Sequence, residues 1–139
     1  MNSSDFQKLS VIRLAEAKAL LRNKHYAGAY YLAGYSVECA LKACIAAKTK
    51  ATDFPPKPEK VREYYKHDLE SLLRTAGLNN KLDAKTKSSK KFQEHWETVK
   101  SWTEQTRYES NIDTLKARKL IRAISDSRDG VLKWMSSYW

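Results

Sequence analysis

The segment Tyr26-Ala-Gly-Ala-Tyr-Tyr-Leu-Ala-Gly-Tyr-Ser-Val-Glu-Cys-Ala-Leu-Lys-Ala-Cys-Ile-Ala-Ala47 reads as one long helix with two distinct faces. Tyr26, Ala29, Tyr30, Ala33, Val37, Ala40, Leu41, Cys44 and Ile45 recur at three- and four-residue steps and make a core stripe. A second line carries Tyr31, Tyr35, Glu38 and Lys42, which places a charged pair in an otherwise apolar helix. Ala29, Ala33, Gly34, Ala40 and Ala43 are small, so a neighbouring helix can approach closely.

Outward from this segment the rest of the chain also reads as helix. Residues 5–22 form a first helix, with Ser4 or Asp5 as its cap and Phe6, Leu9, Ile12, Ala15, Ala19 and Leu20 as its apolar face. Asn23, Lys24 and His25 make a short turn, so the first two helices form an antiparallel hairpin. Residues 49–60 are a loop, because Pro55, Pro56 and Pro58 cannot sit in a helix interior. A short helical turn is expected over 59–65. A third helix starts near His67 and Asp68, runs through Leu69, Leu72, Leu73 and Ala76, and stops at Gly77.

Residues 81–105 are basic first and then aromatic, with Phe92, Trp96, Val99 and Trp102 at helical steps. After a break at 107–111, Asn111 or Asp113 caps a last helix carrying Leu115, Leu120, Ile121, Ile124, Val131 and Met135, with a bend at Gly130. No strand alternation occurs. The expected fold is all-α: an up-down bundle of four long helices plus one short helix, spanning 1–139 as one domain.

A net charge of +10 and a pI near 9.6 favour an anionic partner, nucleic acid first. Lys81, Lys85, Lys87, Lys90 and Lys91 crowd one segment, and Lys48, Lys50, Lys57 and Lys60 another. The competing reading is a solvated basic face that binds nothing specific. No apolar run is long enough to span a bilayer, and the N-terminus lacks a basic start and an apolar block, so a cytoplasmic location is expected. Cys39 and Cys44 diverge by about 140° around a helix and read as buried thiols. His25, His67 and His95 lack metal-ligand spacing, and no Gly-rich phosphate loop occurs. Neither a metal nor a cofactor is expected.

The long second helix, then His67-Asp68-Leu69 followed by Leu72-Leu73, then Arg107-Tyr108 before the last helix, together resemble a HEPN domain (higher eukaryotes and prokaryotes nucleotide-binding). The resemblance covers about residues 12 to 125. It implies a HEPN-like helical bundle, usually a homodimer, often encoded beside a minimal nucleotidyltransferase as a toxin–antitoxin or defence pair. Several branches are metal-independent ribonucleases that use an Arg followed four to six residues later by His, with two copies forming one cleft. Others lack that motif and bind nucleotides, RNA or a protein partner.

Carried onto this chain, the motif Arg maps to Arg107, and the His would fall at 112, 113 or 114. Those positions hold Ile112, Asp113 and Thr114, none of which moves a proton near neutral pH as an imidazole does. A literal Arg-x4-His exists earlier, at Arg62 and His67, which makes these two the candidate catalytic residues. The candidate ligand or RNA contacts are Glu38, Arg107, Tyr108, Tyr31, Tyr35 and Lys42, with a structural Glu38–Arg107 contact expected. Tyr30, Tyr31, Tyr35, Tyr64 and Tyr65 either stack bases beside lysines, or Tyr30 lies in the core and the others at its edge or at a dimer seam, and Trp134, Tyr138 and Trp139 form an aromatic patch suited to an oligomer contact. Three readings follow: a non-catalytic dimeric module that binds RNA, nucleotide or a nucleotidyltransferase; a metal-independent endoribonuclease toxin; and a purely structural interaction partner.

Overall fold

A computed structural model describes residues 1–49, 62–63 and 65–139. Helix α1 spans Ser3–Arg22 and α2 spans Tyr26–Lys48. Asn2, not Ser4 or Asp5, caps α1. Its side chain accepts from the Asp5 amide, and the Asp5 carboxylate accepts from the Asn2 amide, satisfying two helix-end donors reciprocally. Lys24, with φ of 64°, turns the chain between the helices. The Ser3 hydroxyl donates to the Ala43 carbonyl at 3.0 Å and the Ser10 hydroxyl to the Ser36 carbonyl at 2.7 Å. Seven residues forward in α1 match seven back in α2, so the hairpin is antiparallel.

The face α1 buries carries Ser10, Leu14 and Ala17. Ile12, 50% exposed, and Ala15 lie outside it, contrary to the expected apolar face. The expected α2 stripe from Ala29 to Ile45 is buried throughout, while Tyr26 is half-buried. Helix α2 is the central element: α1 and the segments Leu69–Thr75, Glu104–Tyr108, Thr114–Ser125 and Val131–Met135 all pack on it.

The remaining elements are α3 (Leu69–Thr75), α4 (Asn79–Ser88), α5 (Lys90–Lys100), the 3-10 turn (Glu104–Tyr108), α6 (Thr114–Ser125) and α7 (Val131–Met135). No strand occurs among the described residues, so the chain is all-α there. Among the described residues only α1 and α2 are long; the two later long helices expected from the sequence are each cut. Ser89 ends α4 and caps α5, accepting from the Phe92 amide and donating to Asp129 at 2.9 Å. The last helix breaks at Asp126, and Gly130 caps α7 where an added Cβ would lie 2.3 Å from the Asp126 carbonyl oxygen. Gly77, with φ of +73°, closes α3 as expected. Residues 50–61 and Tyr64, which carry most of the expected loop and short turn, lie outside the described residues.

One apolar cluster joins the elements: Leu69 and Leu72 from α3, Phe92 and Val99 from α5, Leu120 and Ile124 from α6, and Met135 from α7 pack with α2. Leu115, expected in that core, is 75% exposed. The C-terminal aromatics pack inward instead of forming an exposed patch. Trp134 is buried against Phe92, with ring centroids 5.3 Å apart, and Tyr138 meets Trp134 edge-on at 5.5 Å. Cys39 and Cys44 are buried free thiols, and burial pushes both up to about 11. No helix among the described residues is long and apolar enough to cross a membrane.

His95, buried on α5, ties α5 to the end of α6 through Nε2 and Asp126 Oδ2 at 2.9 Å. The His95 hydrogen bond, then that from the Arg128 amide, holds the Asp126 carboxyl below its ordinary value of 3.8. A depressed carboxyl adds stability that is fully present above its unfolded value and lost as pH falls through the folded one. Urea midpoints measured from pH 6 downward therefore fall in the wild type, and Asp126→Asn shows a smaller fall below about pH 4.

Candidate functional site

Glu38 lies on the polar line of α2 and is completely buried. A buried carboxylate needs partners. Lys42, one turn on, donates to Glu38 Oε1 at 3.0 Å, as the four-residue spacing predicts. The second partner comes from far along the chain: His67 Nδ1 stands 2.6 Å from the same oxygen. Glu38 Oε2 has no hydrogen-bond partner among the described residues.

His67 precedes α3 and its side chain is 51% exposed. Its Nδ1 also lies 2.9 Å from Glu104 Oε2, in the 3-10 turn. Carboxylate oxygens only accept, so Nδ1 carries the hydrogen, and one N–H serves the nearer oxygen, that of Glu38. Glu104 Oε2 keeps a close electrostatic contact without a hydrogen bond. Glu104 Oε1 in turn stands 3.4 Å from Arg107 Nη2, and Arg107 donates to the Tyr108 hydroxyl at 2.8 Å with its guanidinium over that ring. The Tyr108 bond, more than Glu104, raises the Arg107 pKa further above its already high value.

The expected Glu38–Arg107 contact is therefore indirect. It runs Glu38–His67–Glu104–Arg107, because the imidazole stands between the two carboxylates. Arg62 is exposed, and no bond joins it to His67 among the described residues. The Arg-x4-His pair is thus not assembled as a dyad: His67 is held by Glu38 and Glu104 instead.

Tyr31 and Tyr35 continue the line up α2, their rings stacked at 6.1 Å and 17°. Tyr31 also stacks on Trp102 at 6.1 Å, and Trp102 covers Gly34, where an added Cβ would fall 2.1 Å from the indole. Tyr31 and Tyr35 are half-buried edges of the core, with burial as the main cause that raises the Tyr35 phenol. Tyr30 is buried, and Tyr65 is 75% exposed. Asp113 accepts from the Lys116 amide at 2.8 Å and so caps α6, which is the use expected of it. Ile112 is core, and Thr114 opens the helix.

Glu38, Lys42, His67, Arg107 and Tyr108 are thus linked in one polar network, with Tyr31 and Tyr35 on the same line of α2. The residue that joins its two halves, Glu104, escaped the sequence reading. Its three-residue spacing from Arg107 was the available signal. No group of three or more His, Cys, Asp or Glu side chains suited to a metal ion occurs among the described residues. No family profile, no characterised protein sequence and no solved structure matches the chain.

Proposed function

We propose that the protein is a HEPN-type helical module that forms a homodimer and binds RNA or nucleotide phosphates, or a nucleotidyltransferase partner, without cleaving RNA. The HEPN part rests on the order of motifs along the chain. The anionic partner rests on the net charge of +10. The observation that carries the absence of cleavage is that no bond joins Arg62 to His67 among the described residues, while Arg107 is followed by no imidazole at 112–114. Nothing at 112–114 replaces the missing imidazole, since Asp113 is already engaged as a cap.

The ribonuclease reading keeps one observation in its favour: His67 and Arg107 both contact Glu104, so an imidazole and a guanidinium lie at the two ends of one carboxylate. Incubating RNA with the protein in excess chelator, beside Arg62→Ala, His67→Ala and Arg107→Ala, separates the two. Intact RNA throughout is the expected result. Cleavage by the wild type that is lost in His67→Ala or Arg107→Ala overturns the non-catalytic reading.

A further inference from the structure

An open groove of about 870 Å³ runs between α5 and α6, with Tyr30 of α2 at its floor. Lys116, Arg118, Lys119 and Arg122, all from α6, line it opposite Lys91 of α5. Two carboxylates, Glu94 and Glu97, also reach it, but they are near other cations: Glu94 stands 3.9 Å from Lys91 and Glu97 3.2 Å from Lys100. None of the four α6 cations makes an ion pair among the described residues. Lys116 instead places its ammonium 5.1 Å from the Tyr30 ring centroid.

The sequence of α6 makes this unusual. Thr114–Ser125 contains four basic residues and no acidic one. Lys116–Lys119 and Lys119–Arg122 are three apart and Arg118–Arg122 four apart, so like charges face each other and each pair costs a few tenths of a kcal/mol. An ordinary solvated helix relieves this with Glu at those spacings. Here the repulsion is kept, and it is concentrated against a groove. A ligand bearing several negative charges relieves it.

We infer that the α5–α6 groove is a track for the phosphates of single-stranded RNA. The inference rests on the anionic-partner reading above and gives it a location away from the Glu38–His67 network. Along α6 the cations at 116, 119 and 122 advance by about 4.5 Å per step, a row that follows a strand rather than a point for one ion. The concave wall suits a strand better than a bilayer, and Leu115 is the one exposed large apolar side chain beside it. Tyr30 is too buried to stack on a base, so recognition is by backbone and independent of sequence.

The test measures binding of a labelled oligouridylate over a salt series. It compares the wild type with Lys119→Gln/Arg122→Gln and with Lys8→Gln/Arg22→Gln, a double of equal charge on the exposed side of α1. With about four phosphates neutralised, log K should fall against log salt with a slope of about −3. The groove double should flatten that slope by about 1.4, and the α1 double should leave it nearly unchanged. Circular dichroism confirms that each variant is folded. Equal effects of the two doubles overturn the groove while leaving RNA binding in place. No RNA binding by the wild type overturns the anionic-RNA reading and the groove with it. Groove-dependent binding to phosphatidylserine vesicles without RNA binding assigns the groove to a lipid surface and also overturns the inference.

Discussion

Lys42→Met will destabilise the protein by about 3 kcal/mol at pH 7, the scale found when one partner of a buried ion pair is removed. The cost arises at Glu38, which is completely buried and, among the described residues, already has one oxygen without a hydrogen bond. Without Lys42 its charge is left, among the described residues, with His67. Glu38→Gln should cost only about 1 kcal/mol, because the partners it leaves are better placed to find water. The His67 side chain is 51% exposed and that of Lys42 17%. The pair of variants thus gives an asymmetric result, read from urea midpoints. Equal losses, or a larger loss for Glu38→Gln, would contradict this account of the network.

Gly34→Ala will lower stability by about 3 kcal/mol, the upper end of overpacking costs. The new Cβ would sit 2.1 Å from the Trp102 indole, and the indole is itself 2% exposed and stacked on Tyr31. Relief requires moving Trp102, and with it the approach to the 3-10 turn that holds Glu104. The gain in helix propensity, about 1 kcal/mol, offsets only part of the loss. Gly28→Ala is the control on the same helix. Its Cβ would meet only the end of the Leu20 side chain at 3.3 Å, so that variant should match or exceed the wild type in thermal melts. A stable Gly34→Ala protein would show that Trp102 does not close on α2 as described.

These two sites also show what the sequence could reveal. The core stripe of α2, its small residues and the Glu38–Lys42 pair are local, and three- and four-residue periodicity exposes them. The partner that Glu38 takes from outside α2 is 29 residues away, and no local pattern specifies it. The buried face of α1 is not legible in this way, because that helix carries apolar residues on several sides: Val11 and Ile12 are exposed while Ser10 is buried with its hydroxyl bonded to the Ser36 carbonyl. The later helices read as longer than they are, since a break at Ser89 depends on Asp129, 40 residues on. The basic face of α6 is legible at 116, 118, 119 and 122, although the lysines at 81–91 make a denser run. What the sequence lacked there was the second wall, supplied by α5.

The central claim is that the chain holds RNA phosphates and leaves them uncut. The most direct measurement is fluorescence anisotropy of labelled single-stranded RNA against wild-type protein in chelator, with the RNA recovered and sized afterwards. The account predicts saturable binding that weakens steeply with added salt and RNA recovered at full length. RNA shortened after incubation, or no binding even at low salt, would contradict it.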